Sequence, residues 1–234
     1  MRYKIAGYIT EYTPIYKMLR KKMKPYCYLG EEKTDLVLQM TDSFCQEKQK
    51  EHSHLTRSQC EYIFTGNEFY RKILLQGGLM LHASAVEVEG RAYLFSADSG
   101  TGKSTHTKQW QDLFGEERAL IINDDKPALR REAEGWFAYG TPFSGKTDEN
   151  MNRKVRLQGI CMLEQGKKNQ IRQIAPVEAI ALLMQQTIRP KDEESAGKLL
   201  EYLDCLLKEV PVYHMQCTIS KEAAKMAYET MKGK

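Results

Sequence analysis

With 234 residues, 41% of them hydrophobic and 28% charged, the chain has the composition of a globular protein able to bury a sizeable core as one domain, or one domain with a small appendage. Its 35 Lys and Arg against 31 Asp and Glu leave a formal charge of +4, too small a surplus to indicate a nucleic-acid partner. No run approaches the roughly 18 apolar residues of a membrane span, and the opening Met1-Arg2-Tyr3-Lys4-Ile5-Ala6-Gly7-Tyr8 lacks the apolar centre of a signal peptide, so a cytoplasmic protein is expected.

The first 75 residues form a small α+β region whose role the sequence leaves open. Residues 3–9 alternate like one strand, 12–23 read as a helix and 35–40 as another strand, whereas the polar stretch 46–57 reads as a loop. Lys17, Arg20, Lys21, Lys22 and Lys24 cluster within eight positions, which is either a solvated helix face or a contact for an acidic partner. A helix over 59–75 is expected, opened by a Ser58/Glu61 capping box and closed by Gly77-Gly78. Cys27, Cys45, Cys60, Cys161, Cys205 and Cys217 are scattered, with no Cys-x-x-Cys pair and no His placed to complete a zinc site, so reduced structural thiols are expected.

From residue 76 to 234 the pattern is that of a nucleotide-binding α/β domain. Segments 79–88 and 91–96 flank Glu89-Gly90 as a hairpin, which predicts a mixed rather than an all-parallel sheet. Ala119-Leu120-Ile121-Ile122 is a buried strand ending at Asn123-Asp124-Asp125, and 128–130 with 136–139 form a second hairpin around Glu134-Gly135. Segments 159–164 and 171–174 read as a further strand pair. Pro176 opens a helix over 177–188, a second helix follows over 193–207, 210–215 reads as a strand, and Ser220 caps a last helix reaching Met231.

Two stretches compete as a phosphate-gripping loop. Gly140 to Thr147 matches Gly-x-x-x-x-Gly-Lys-Ser/Thr literally, whereas Ala97 to Ser104 has alanine in the first glycine position. Context decides between them, because such a loop works between a buried strand and a helix N-terminus, where free N–H groups and the helix dipole meet the anion. Arg91 to Ser96 is an apolar run of strand length. Trp110, Leu113 and Phe114 follow the first candidate at helical spacing, with Gly115 as the stop. The second candidate carries Pro142 inside the loop, followed by Asp148 and Glu149 with no helical period. The nucleotide loop is therefore assigned to Ser99, Gly100, Thr101, Gly102, Lys103, Ser104 and Thr105, and the Lys146 segment to an accessory loop.

Each residue type there has a chemical use. Gly100 and Gly102 permit close backbone approach, Lys103 supplies charge for the β- and γ-phosphates of ATP, and the Ser104 hydroxyl is a ligand for Mg²⁺. Asp124 and Asp125 lie at the end of a buried strand, where open α/β sheets gather their ligands, and could divide metal binding and proton acceptance between them. Taken alone, His82 reads as a structural histidine.

Read together, Leu81-His82-Ala83, the loop 98–105 and Asn123-Asp124-Asp125 resemble the catalytic region of HPr kinase/phosphorylase, within the phosphoenolpyruvate-carboxykinase-like P-loop superfamily. The family pattern is a His before a hairpin, a Gly-x-Ser-Gly-x-Gly-Lys-Ser loop, and a strand closing in two aspartates. Ala97 departs from it. The segments 81–85 and 140–147 are similar to small bacterial HPr-kinase-like proteins, and the resemblance covers about residues 75–215.

It implies a mixed-sheet P-loop core and an ATP- and Mg²⁺-dependent kinase acting on a hydroxyl of a peptide, protein or small molecule, and homo-oligomers are common among such relatives. By position, His82 and Asp124 would form the acid/base unit and Ser104 with Asp125 would hold the metal, although the two aspartates can exchange these roles. Lys146, with Arg153, Arg156 and Arg189 as further candidates, would neutralise the transferring phosphoryl group. No phosphorylase signature is recognisable in the C-terminal part. A nucleotide-binding sensor without efficient phosphotransfer is the competing reading.

Overall fold

The computed structural model describes residues 1–145 and 147–233. The chain opens with a hairpin, β1 (Arg2–Ile5) and β2 (Tyr8–Glu11), turned by Ala6 and Gly7 at φ 51° and 81°. The single strand expected over residues 3–9 is therefore two. Helix α1 (Lys17–Met23) follows, then a 3₁₀ turn at Lys24–Tyr26 and the two-residue β3 (Leu36–Val37), which runs parallel to β2.

Helix α2 (Asp42–Glu51) occupies most of the stretch expected to be a loop. Its composition is polar, but Thr41 accepts from the Phe44 N–H as N-cap, and Cys45 is buried. Helix α3 (Arg57–Leu74) starts two residues before the expected position, on a Thr56/Gln59 capping box. Glu61 has a different task. It is fully buried and accepts from Tyr12 Oη (2.8 Å), Ile15 N (2.5 Å) and Tyr16 N (3.1 Å), tying α3 to the segment that enters α1.

The remaining strands form one mixed α/β sheet. They are β4 (Gly78–Met80), β5 (Ala83–Val88), β6 (Arg91–Ser96), β7 (Ala119–Asn123), β8 (Ala128–Glu132), β9 (Gly135–Tyr139), β10 (Lys154–Gln165), β11 (Gln170–Gln173) and β12 (Val212–Cys217). The main path runs β4-β8-β9-β10-β6-β5-β7. β10 is long enough to serve three neighbours: it pairs antiparallel with β9 through residues 154–156, then parallel with β12 through 160–165, and parallel with β6. β11 was expected to pair with the strand before it. It pairs instead with β12, which lies beside β10.

Helices α4 (Lys103–Phe114) and α7 (Lys221–Met231) cover one face of the sheet, and α3, α5 (Pro176–Gln185) and α6 (Glu193–Glu209) the other. β6 is consequently buried on both sides: Ala92 and Leu94 join one core, Tyr93 and Phe95 the other. On the α4 side, Trp110 packs against Tyr93, Phe95 and Tyr228, and each large side chain buried in this way contributes about 1.5–3 kcal/mol. The opposite core runs without a break from the sheet into the N-terminal region, through Tyr70, Phe69 and Phe143 to Tyr3 and Tyr26.

This topology places the chemistry. β6, β7, β10 and β12 run in the same direction, and β5 runs against β6. The carboxyl ends of β6 and β7 and the start of β5 therefore meet at one edge, with Ala97, Asp124 and His82 in the turns that follow or precede them. Among the described residues no helix is long and apolar enough to cross a membrane.

Candidate active site

Gly100 and Gly102 adopt φ 85° and 113°, conformations that disfavour a side chain. Ala97 does not lie in that region and is buried at the end of β6, so the first position of this loop accepts a methyl group without backbone strain. Gly102 is the N-cap of α4 and offers no capping side chain, which leaves the first-turn N–H groups of the helix directed at the loop. The first-turn Lys103 is only 7% exposed. Its ammonium donates to the carbonyl of Ala97 at 2.9 Å and of Asp98 at 3.4 Å. Burial lowers its pKa, against the opposing charges of Asp125, Asp124 and Asp98.

The two aspartates have distinct surroundings. Asp124 is buried and accepts from Ser84 Oγ (2.7 Å) and Thr147 Oγ1 (2.6 Å), and Ser84 in turn meets Thr107 Oγ1 of α4 at 2.8 Å. Asp125 is half-buried and lies 3.3 Å from His82 Nε2 and 3.2 Å from Lys126 Nζ. Burial would raise its pKa, but the His82 hydrogen bond and the Lys126 charge outweigh it and hold the carboxyl below its ordinary value. The pairing expected between His82 and Asp124 is thus not formed. The turn that follows β7 seats Asp124 in the cleft wall between Ser84 of β5 and Thr147 and sets Asp125 opposite the imidazole.

A residue with no sequence signal completes this array. Gln186, just beyond α5, is buried; its Nε2 donates to Asp98 Oδ1 at 2.9 Å, which turns Oε1 toward His82 Nδ1 at 2.9 Å. His82 also anchors there through its backbone N–H, which donates to the Gln186 carbonyl at 2.7 Å. The imidazole therefore faces an oxygen at each nitrogen, Gln186 Oε1 at Nδ1 and Asp125 Oδ1 at Nε2.

The turn bearing the aspartates is fixed by Asn123. Its Oδ1 accepts from the backbone N–H of Asp125 (3.0 Å) and Lys126 (2.7 Å), and its Nδ2 donates to the carbonyl and hydroxyl of Thr141. The literal motif Gly140–Thr147 is therefore part of the same edge. It joins β9 to β10 without an intervening helix and lines the cleft with Gly145 and Thr147. At Gly140 a Cβ would overlap the carbonyl oxygens of Met151 and Ile122, so this glycine is required for packing. Lys146 lies outside the described residues.

The N-terminal region braces this loop. Tyr62 Oη accepts from Gly145 N at 3.2 Å, Tyr26 Oη donates to Asn150 Oδ1 at 2.8 Å, and Lys22 pairs with Asp148. Of the basic cluster, Lys17, Arg20, Lys21 and Lys24 are exposed. Arg153 pairs with Glu87 on β5, Arg156 stands beside Gly135 at the β8–β9 turn, and Arg189 is exposed.

Together, His82, Ser99, Gly100, Gly102, Lys103, Ser104, Thr105, Asp124, Asp125, Gly145 and Thr147 surround an open cleft of about 470 Å³. Of the expected loop residues, Thr101 faces a neighbouring cavity instead. The donor set suits a hard cation: the Ser104 hydroxyl and the two carboxylates share the cleft, and Mg²⁺ is commonly held by one or two carboxylates with the remaining positions left to phosphates and water. No cluster of three or more His, Cys, Asp or Glu is arranged to hold a metal among the described residues.

No curated protein sequence matches the chain. Among solved structures, the Hpr(Ser) kinase/phosphatase from Coxiella burnetii aligns with 65% of this chain and 87% of its own, at 12% identity and a TM-score of 0.38. The family model described as SynChlorMet cassette protein ScmC matches residues 45–225, from within α2 to within α7, and the chain accordingly belongs to the ScmC family.

Proposed function

We propose that this protein is a phosphotransferase that moves the terminal phosphoryl group of a nucleoside triphosphate, ATP in the first instance, to a hydroxyl on a peptide, protein or small molecule. The observation that carries this reading is the convergence on one cleft of an uncapped helix N-terminus, a buried lysine and two carboxylates in different environments. The strand–loop–helix unit of β6 and α4 is read as a P-loop of the HPr-kinase-like type, and its phosphate contacts as the N–H groups of the loop and first turn together with Lys103.

In this reading Asp124 and Ser104 would hold Mg²⁺, and Ser84 and Thr147 keep the Asp124 carboxylate turned to the cleft. When bound, the cation would neutralise charge on the phosphate oxygens. Asp125 is the proton acceptor. It takes the proton of the attacking hydroxyl as the oxygen–phosphorus bond forms and the bond from phosphorus to the bridging oxygen breaks, releasing the nucleoside diphosphate. His82 orients Asp125, and Gln186 orients His82. The aspartate roles are thus the reverse of the first assignment by position, because the imidazole faces Asp125.

Turnover of Mg²⁺-ATP, with water or a supplied hydroxyl as acceptor, tests this reading. Asp125→Asn is expected to keep nucleotide affinity within about 3-fold and to lower turnover by about 100-fold or more, the usual worth of a positioned acid/base group. Nucleotide binding without any transfer in the wild type would contradict the kinase reading in favour of a nucleotide-binding module.

A further inference from the structure

A second cavity, of about 350 Å³, adjoins the cleft across the glycine loop and falls within the size range of small-molecule pockets, about 300–1,000 Å³. Gly102 and Thr105 line both spaces. A ligand with its anionic end at the α4 N-terminus would therefore reach the second cavity over these two residues. The far wall comes from the carboxyl ends of β10 and β12 and the residues after them. Leu163, Cys217 and Ile219 present apolar surface, and Gln109 and Thr218 present polar groups. Ile219 is 77% exposed at the rim of this cavity, where a planar apolar ligand would cover it. Gln165, which also lines the cavity, donates from Nε2 to the Thr101 carbonyl at 3.1 Å and so ties the loop to β10.

His106 forms the inner wall. It is 4% exposed, its ring lies 4.4 Å from that of Phe95, and Trp110 Nε1 stands 3.3 Å from its Nε2. An indole nitrogen can only donate, so Nε2 must be the unprotonated nitrogen and Nδ1 must carry the proton. Burial pushes the imidazole down to about 4, which keeps the ring neutral near pH 7. Trp110 thus leaves Nδ1–H as the donor of a ring that lines the wall of a cavity opening beside the loop.

We propose that this cavity takes the heterocyclic base of the nucleotide whose phosphates occupy the neighbouring cleft, with His106 Nδ1–H donating to a ring nitrogen or carbonyl of that base. The assignment rests on the phosphate-binding reading of the loop and adds to it a reason for a nucleotide, rather than an inorganic polyphosphate, to be the donor.

The test compares the affinity of the full chain for Mg²⁺-ATP and for Mg²⁺-tripolyphosphate by titration calorimetry. The wild type is expected to prefer ATP by about 10-fold or more, the effect of one hydrogen bond plus the apolar cover of the base. His106→Phe removes the donor and keeps the aromatic wall; Gln109→Trp, on the outer side of α4, fills the cavity and does not disturb the His106–Trp110 pair. Gln109→Trp is expected to bring the ratio close to one and His106→Phe to lower it part of the way, each by weakening ATP alone. Equal wild-type affinities, or a preference that survives Gln109→Trp, would overturn the base site and leave the phosphate site standing. Failure of both ligands to bind the wild type would overturn the phosphate reading itself, and the base site with it.

Discussion

The turn that presents both aspartates depends on one amide. Asn123 is fully buried and makes four hydrogen bonds: two accepted from the backbone of Asp125 and Lys126, and two donated to Thr141 at 3.0 and 3.1 Å. Asn123→Ala removes all four at once. It leaves two N–H groups of a part-buried turn without this acceptor and separates the turn from the loop that carries Thr147. At about 1 kcal/mol net per bond the expected loss is about 4 kcal/mol, a large fraction of a typical folding free energy of about 5–15 kcal/mol. Urea unfolding followed by circular dichroism measures it directly, with the midpoint expected to fall at an unchanged slope. A loss below about 1 kcal/mol would refute the reasoning, because water would then replace the amide at little cost and the turn would hold its shape unaided.

Gln186→Leu deletes the acceptor at His82 Nδ1 and the donor at Asp98, and is expected to slow Mg²⁺-ATP turnover by about 10-fold or more with nucleotide affinity within about 3-fold, whereas Gln186→Glu, which retains an oxygen for His82, recovers part of the rate. Equal rates for wild type and Gln186→Leu would show that His82 needs no support from α5. His106 predicts a pH dependence of stability. Its folded pKa lies below the ordinary value of 6.5, at about 4, so the unfolded chain takes up the proton first as pH falls. The stability that the neutral ring contributes is complete above about pH 6.5 and declines through the interval down to about 4. The wild type should therefore lose unfolding free energy relative to His106→Phe as pH falls from about 6.5 toward 4, and a constant difference across that range would contradict the assignment.

How far the sequence revealed the site depended on whether the information was local. β6, its turn and α4 were legible because apolar run, glycines and helical period are adjacent in the chain, and the structure shows strand, loop and helix in that order. Context also outweighed pattern at Gly140–Thr147, since nothing after Thr147 could form a helix; the structure has a loop there that returns to β10. Long-range partners were the illegible part. Glu61 reads as the end of a capping box only until Ile15, Tyr12 and Tyr16 come to meet it from about 46 residues away. Gln186 is 104 residues from His82 and 88 from Asp98, and a lone glutamine after an apolar helix carries no signal. β11 could not be assigned its neighbour, because β12 enters the sheet only after two helices. Helix α2 was read as a loop because its apolar contribution is small, and what holds it is packing on α3, where Phe44 meets Phe64 edge to face at 5.5 Å.

The bracing of the 140s loop by Tyr26, Tyr62 and Lys22 gives the N-terminal region a place in the site although it contributes no residue to the cleft wall. Gly145 shows how tight this arrangement is: a Cβ there would stand 2.8 Å from that of Asp125. A change in the N-terminal region can therefore reach Asp125 through one loop.

The central claim is that the loop from Ser99 to Thr105 holds the phosphates of a nucleotide. Calorimetric titration of the full chain with Mg²⁺-ATP, beside Lys103→Met, tests it most directly. The wild type should bind with a single site, and the variant, which loses the charge at the first turn of α4, should bind at least about 10-fold more weakly. Undiminished binding by Lys103→Met, or none by the wild type, would contradict the claim.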